Sequence, residues 1–167
     1  MTLDVKRTGS GDATLEFSPA LSLRSEVASV ELNGHSLPFH AETNATDQHV
    51  SMRIPINQAA TTVRIHLKND FGVSAPNVLP ALGSPSQGLR VISESWNANR
   101  TQMTLSLSGL AGRRYELLVW NPSQVTSVHG GKLESVREND GVLAVEFSGN
   151  SDSYVQQDVI LDFAKLK

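Results

Sequence analysis

The sequence VASVELNGHSL at residues 27–37 has a counterpart about a hundred residues further along the chain, VTSVHGGKL at residues 125–133. Each copy is followed by two stretches in which apolar and polar residues alternate. Such alternation is typical of half-buried β-strands. A period this long exceeds the roughly 20 to 50 residues of a solenoid repeat, so it indicates two copies of a whole domain.

The same alternation extends outward from both copies. In the second half it predicts seven strands, at residues 89–95, 101–108, 114–120, 125–128, 132–137, 142–147 and 155–163. In the first half, Asn33-Gly34 predicts a type I′ hairpin turn, because both central positions of that turn need positive φ. Residues 20–28 are the one stretch for which we predict a helical turn.

Seven short strands separated by turns are what an immunoglobulin-like or fibronectin-III-like sandwich requires. We therefore predict an all-β chain with two tandem sandwiches of this kind, at residues 1–73 and 88–167. Between them, residues 74–87 contain three prolines, which cannot donate to a strand ladder. We predict that these residues form a stiff connector that packs against one or both sandwiches.

Composition limits the classes of function. The chain has 167 residues, a net charge of −3 and no cysteine, so it has neither disulfides nor a thiolate metal site, and we do not expect it to bind nucleic acid. No apolar run approaches the roughly 18 residues of a membrane span, so we expect no membrane insertion. The start lacks the apolar segment of a signal peptide and leads directly into strand alternation. We interpret the chain as a piece of a longer protein.

No catalytic signature stands out. The glutamates are spread singly over different strands, there is no G-x-S-x-G motif, and the glycines after His129 have no helix behind them to hold a phosphate. His40, Glu42, His49 and His66 lie on polar strand faces. Adjacent strands are about 4.8 Å apart, so His40 and His66 on either side of a shared strand would stand about 9–10 Å apart, which is too far for one zinc ion. We predict no enzyme activity, no cofactor and no metal site.

A first candidate ligand site lies around Trp96, where a strand runs into a turn beside Asn97, Asn99 and Arg100. A tryptophan edged by amides and a guanidinium resembles a sugar-stacking site, with an apolar ring face and polar groups that orient the ligand. The alternative is that Trp96 covers the core, since large side chains at strand ends are commonly part-buried.

A second candidate surface consists of Leu118, Trp120 and Ile160, which interrupt the polar side of their strands. If these strands are neighbours, the outer face of one sheet carries an apolar patch. Either a loop or the other module covers this patch, or it is an interface with a further domain or partner, because exposed apolar patches of several hundred square ångströms are unusual on monomers.

The two repeated phrases, followed by an alternating strand and YVQQDVILDF, resemble the C-terminal β-sandwich modules of secreted bacterial glycoside hydrolases and related multidomain enzymes. The second copy departs from the pattern, with His129-Gly130-Gly131 where Asn-Gly is expected. The resemblance implies a non-catalytic accessory module, extracellular or periplasmic, whose partner is the catalytic or another domain of the same parent chain. It transfers no functional residue. The alternative is a carbohydrate-binding module that uses Trp96 or Trp120 to bind a polysaccharide.

Overall fold

The computed structural model describes residues 1–76, 79–150 and 152–165. In this part of the chain there are sixteen β-strands and one short 3-10 helix, so the prediction of an all-β chain is confirmed. Within the same residues, no helix is long and apolar enough to cross a membrane.

In the first half the strands are β1 (Thr2–Lys6), β2 (Ala13–Phe17), β3 (Ala20–Leu21), β4 (Glu26–Leu32), β5 (His35–Ser36), β6 (His40–Thr43), β7 (Gln48–Ile56) and β8 (Ala60–Lys68). The second half contains β9 (Gly72–Ser74), β10 (Arg90–Trp96), β11 (Gln102–Leu110), β12 (Arg114–Trp120), the 3-10 helix (Pro122–Gln124), β13 (Val125–His129), β14 (Lys132–Ser135), β15 (Asp140–Glu146) and β16 (Tyr154–Phe163). The seven strands predicted in the second half are all present, with ends that differ by a few residues.

The chain divides into two compact units, residues 1–70 and the residues from Phe71 onward. This boundary differs from the predicted one at residue 73, because β9 pairs with β12 through Leu118↔Ser74 and Trp120↔Gly72. Of residues 74–87, predicted to be a connector between domains, residues 74–76 and 79–87 accordingly fall within the second unit, and residues 77 and 78 lie outside the described residues. Strand pairing stops at the prolines, whereas the change from the first apolar core to the second occurs a few residues earlier in the chain.

Four antiparallel strand pairings recur in the same order in both units. In the first unit they are β1–β8, β4–β8, β2–β7 and β6–β7. In the second unit the equivalent pairings are β11–β16, β13–β16, β12–β15 and β14–β15. The repeat seen in the sequence is therefore a repeat of strand topology.

The repeated phrases themselves carry a shared irregularity. The β4–β8 ladder has a bulge between Val27 and Ser29, and the β13–β16 ladder has one between Val125 and Ser127. Beyond the bulge the two units differ. In the first unit Asn33 and Gly34 have φ of 50° and 85°, and β5 pairs back onto β4 as the predicted hairpin. In the second unit β13 and β14 belong to different sheets.

The second unit has two four-stranded sheets, which we call the β11 sheet (order β10-β11-β16-β13) and the β12 sheet (order β14-β15-β12-β9). In an immunoglobulin sandwich the last two strands, F and G, are neighbours in one sheet. Here the last two strands, β15 and β16, lie in opposite sheets, as do β7 and β8 in the first unit. The strand order thus differs from the predicted immunoglobulin-like or fibronectin-III-like one.

Each unit has its own apolar core, drawn from both of its sheets. The first core is formed mainly by the inward residues of β4, β7 and β8. The second is formed by those of β11, β12, β15 and β16 together with Phe71. Period-two alternation produces this arrangement, because it turns every second side chain toward the opposing sheet.

Residues 20–28 do not form the predicted helical turn. They form β3, a tight turn closed by a hydrogen bond from the Ser25 N–H to the Ser22 carbonyl oxygen (3.0 Å), and the start of β4. The buried Gln48 side chain donates hydrogen bonds to the carbonyl oxygens of Ser22 and Ser25. Tertiary contacts thus satisfy backbone groups that a helix would have satisfied locally.

Candidate interaction surface

The outer face of the β12 sheet carries two bulky apolar side chains. Leu118 is 56% exposed and Trp120 is 44% exposed. Their neighbours along the strand, Leu117 and Val119, are buried in the core. The strand RYELLVW is apolar on both faces, so one set of side chains fills the core and the other faces outward. This is the arrangement expected at an interface.

Ile160 does not join them. It lies on β16, in the β11 sheet, between the fully buried Val159 and Leu161, so its side chain is on the outer face of the opposite sheet. The predicted three-residue patch of Leu118, Trp120 and Ile160 is therefore not formed. Alternation shows that a residue points outward, but it does not show which sheet contains its strand.

A shallow groove runs beside Leu118 and Trp120. Its volume is about 290 Å³, and its walls include Gly72, Ser74 and Asp140. Gly72 and Asp140 are the two cross-strand neighbours of Trp120, and a Cβ atom added at Gly72 would lie 4.0 Å from the Trp120 Cβ. The missing side chain keeps the groove open. We call these five residues the Leu118–Trp120 face.

Trp96 occupies a different position. Its ring packs against the core, with its centroid 5.0 Å from that of Phe163 and 6.3 Å from that of Phe71. Its Nε1 donates a hydrogen bond to Glu94 Oε1 at 2.8 Å. The ring therefore covers one end of the second core, which is the alternative considered from the sequence.

The neighbouring polar residues build a turn. Asn97 Oδ1 accepts hydrogen bonds from the N–H groups of Thr101 (2.8 Å) and Gln102 (3.2 Å), and Asn97 Nδ2 donates to Thr101 Oγ1 (3.0 Å). Arg100 has a positive φ of 54°, and Asn99 is exposed at the tip. The Asn97 amide is thus used to hold the turn between β10 and β11.

A cluster that the sequence did not reveal lies on the outer face of the β11 sheet. Asp162 accepts hydrogen bonds from Ser127 Oγ (2.6 Å) and Gln102 Nε2 (2.9 Å), and His129 Nε2 lies 3.5 Å from its carboxylate. The hydrogen bonds from Ser127 and Gln102, with the nearby His129, lower the pKa of Asp162. Ser127 donates to the carboxylate and not to the imidazole, so the histidine does not activate this hydroxyl as a nucleophile.

The first unit contains a counterpart of this cluster. Ser29 pairs with His66 in the β4–β8 ladder, as Ser127 pairs with Asp162 in the β13–β16 ladder. His66 Nε2 lies 3.4 Å from Glu31 Oε1. In the second unit the histidine lies on β13 and the acid on β16, whereas in the first unit the acid lies on β4 and the histidine on β8. A cross-strand ion pair tolerates such an exchange of strands, but a catalytic arrangement does not.

Of the other two histidines considered from the sequence, His40 lies exposed on β6 opposite Ser51, and His49 has a local partner. Glu42 and His49 face each other in the β6–β7 ladder, and His49 Nε2 lies 3.5 Å from Asp47 Oδ1. Across residues 1–76, 79–150 and 152–165, no group of three or more histidines or carboxylates is arranged to hold a metal ion.

The chain was also compared with known proteins. No family model, no curated protein and no solved structure matches it. Its function must therefore be inferred from the geometry of the Leu118–Trp120 face and from the sequence resemblance alone.

Proposed function

We propose that this chain is a non-catalytic accessory module of a larger bacterial extracellular or periplasmic protein, and that it forms the C-terminal tail of a carbohydrate-active enzyme. In this proposal the Leu118–Trp120 face binds another domain of the same parent chain. The observation that supports it most is the pair of exposed apolar side chains on one outer sheet face.

The surroundings of this face suit an interface. Interfaces between proteins have an apolar core enriched in aromatic residues and a polar rim. On the same outer face, Arg114 Nη2 lies 3.0 Å from Glu116 Oε1, and Lys132 Nζ lies 2.8 Å from Glu134 Oε1. These ion pairs are exposed, so they contribute little to stability and leave a charged border around the apolar centre.

Covering of this face can be measured by thiol labelling, because the chain has no cysteine of its own. In the isolated chain, Leu118→Cys should react with a maleimide at close to the rate of an exposed thiol. In the complete parent protein we expect the labelling to slow by about tenfold or more, since a core position of an interface excludes water. The labelled peptide is quantified by mass spectrometry.

The matched control is Gln156→Cys, an exposed position on β16 in the opposite sheet. Its labelling rate should be the same in the isolated chain and in the parent protein. Equal rates for Leu118→Cys in both proteins would show that no domain covers the Leu118–Trp120 face. Slowing at both positions would point to general burial and would likewise contradict the proposal.

The second candidate function is carbohydrate binding at the same face. Trp120 lies beside a groove whose lining includes the polar residues Ser74 and Asp140. An aromatic surface with a few polar groups at its edge suits a sugar ring, which has apolar faces and hydroxyls around its rim. Trp96 is less suited to this role, because its ring packs on Phe163.

Polysaccharide pull-down and glycan arrays test this second candidate. Trp120→Ala should abolish binding to any glycan that the wild-type chain retains, because the stacking surface is removed. Trp96→Phe is the control, since it keeps an aromatic ring over the core and should bind as the wild type does. Glycan binding that survives Trp120→Ala would assign the sugar to another surface.

A further inference from the structure

The second unit has two strands that the first unit lacks. β10 pairs with β11, and β9 pairs with β12. By their other pairings, β11 and β12 are the equivalents of β1 and β2 in the first unit. The outer edges of β1 and β2, however, have no strand partner within residues 1–70, which the structure describes in full. The two units therefore differ at the same two sheet edges.

The backbone groups on the outer edge of β1 follow from its pairing with β8. The Ile65 N–H donates to the Met1 carbonyl oxygen (2.9 Å), and the β1–β8 register has no shift. In an antiparallel ladder hydrogen bonding alternates along the strand, so the odd-numbered residues of β1 bond to β8. The N–H and C=O groups that point to the open edge are those of the exposed residues Thr2, Asp4 and Lys6.

The outer edge of β2 is open in the same way. The Val50 N–H donates to the Pro19 carbonyl oxygen (3.1 Å), so the even-numbered residues of β7 bond to the odd-numbered residues of β2. The backbone groups of Thr14 and Glu16 point to the open edge. Pro55 lies opposite Thr14, in a pair without backbone hydrogen bonds, so its missing N–H does not weaken this ladder.

Burial differs between the two units at equivalent positions of β1 and β11. Aligning the bulges of the β4–β8 and β13–β16 ladders makes Ile65 equivalent to Leu161. Their partners on the neighbouring strand, Met1 and Met103, are then equivalent as well. Met103 pairs with Trp96 on β10 and is 1% exposed, whereas Met1 is 53% exposed. The strand beside β11 therefore accompanies a burial that β1 does not have.

The additional strands of the second unit bring aromatic residues to its core. Trp96 is the last residue of β10, Phe71 directly precedes β9, and both rings pack on Phe163. In the first unit the inward residues of β1 and β2 pack against the core but stay partly exposed. These residues are Leu3, Val5, Leu15 and Phe17. The first unit thus has unused apolar surface beside its unused backbone groups.

We propose that the polypeptide preceding residue 1 in the parent protein supplies two strands to the first unit, the earlier one antiparallel to β2 and the later one antiparallel to β1. The inference rests on the proposed function, because it requires a parent chain. The second unit identifies the occupant, since β9 and β10 fill the equivalent edges and directly precede β11 in the chain. Unpaired edge groups are a template for such strand addition, in which main-chain hydrogen bonds supply the affinity.

The second unit also specifies the chemistry of this segment. Trp96 precedes Met103 by seven residues. We therefore expect a bulky apolar residue seven positions before residue 1, where its side chain can cover the exposed end of the first core. The residue opposite Val5 should be apolar, as Val91 is opposite Leu107, because side chains opposite each other in an antiparallel ladder share a face.

The test compares hydrogen exchange in three proteins. They are the isolated chain, the complete parent protein, and a parent variant in which the 32 residues before residue 1 are scrambled. This length corresponds to residues 71–102, the 32 residues that precede Met103 and contain β9 and β10. Scrambling keeps the length and composition of the segment but removes its strand pattern. Exchange is measured by mass spectrometry with fragmentation that resolves single amides.

The expected result concerns the amides on the two open edges. In the isolated chain Asp4, Lys6 and Glu16 should exchange much faster than Leu3 and Val5, whose N–H groups bond to β8. In the parent protein the exchange of Asp4, Lys6 and Glu16 should slow by about tenfold or more, because these groups become part of a ladder. In the scrambled variant it should return to the rate of the isolated chain.

The amides of β16, in the second unit, are the control and should exchange at the same rate in all three proteins. Equal exchange of Asp4, Lys6 and Glu16 in the isolated chain and the parent would overturn the proposal. Equal slowing by the native and scrambled segments, or a coding sequence that begins at Met1, would also overturn it. Slow labelling of Leu118→Cys in a parent whose β1 and β2 edges exchange freely would refute this inference alone. Protected edges with unchanged labelling of Leu118→Cys would refute only the proposed interface.

Discussion

Replacement of Phe71 by alanine is expected to destabilise the second unit by about 4 kcal/mol, within the range typical of truncating a buried aromatic side chain. Phe71 is 2% exposed and packs edge-to-face on Phe163, with ring centroids 4.7 Å apart. It also contacts Trp96, so its removal opens one end of the core where three aromatic rings meet. The first unit should keep its stability, because Phe71 belongs to the second core.

Hydrogen exchange measured residue by residue separates the two units. Phe71→Ala should reduce the protection of β11 and β16 and leave that of β7 and β8 unchanged. Ile54→Ala, at a fully buried position of the first core, should give the opposite pattern with a loss of about 2–5 kcal/mol. Loss of protection in β7 after Phe71→Ala would place the division between the units after Phe71 and contradict a boundary that precedes this residue.

Gly130→Ala is expected to destabilise the second unit by about 3 kcal/mol, through two additive causes. Gly130 has a φ of 79°, a conformation that costs an L-residue about 1–2 kcal/mol. A Cβ atom there would also lie 2.5 Å from the carbonyl oxygen of Asp158 on β16. Because that oxygen is a backbone atom, it cannot swing away, and such overpacking typically costs about 1–3 kcal/mol.

Gly34→Ala isolates the first of these causes. Gly34 has a similar φ of 85°, and a Cβ atom there would meet nothing within 4 Å. We expect a loss of only about 1–2 kcal/mol in the first unit, from the backbone conformation alone. Urea unfolding of both variants, followed in each unit separately, gives the two values. Equal losses for Gly130→Ala and Gly34→Ala would show that the β13–β14 turn moves away from Asp158 at no cost.

Much of the local structure follows from the sequence. Alternation located the strands of the second half, and Asn33-Gly34 predicted the hairpin whose two residues do have positive φ. These features depend on neighbours in the chain: side chains in a strand alternate between two faces, and a tight turn selects residues that tolerate its dihedral angles. The repeated phrases likewise indicated a repeated unit, and both units contain the same four strand pairings.

The tertiary structure alone decided which strands share a sheet. From the sequence we predicted that Ile160 lies beside Leu118 and Trp120, but the pairing of its strand with β11 and β13 puts Ile160 on the outer face of the opposite sheet. We also predicted that the first module ends after Phe71, but the packing of Phe71 on Phe163 places it in the second core. Strand pairing joins residues that are far apart in the chain, and the alternation of apolar and polar residues is the same whichever partner a strand takes. The local sequence pattern therefore does not indicate which strands pair.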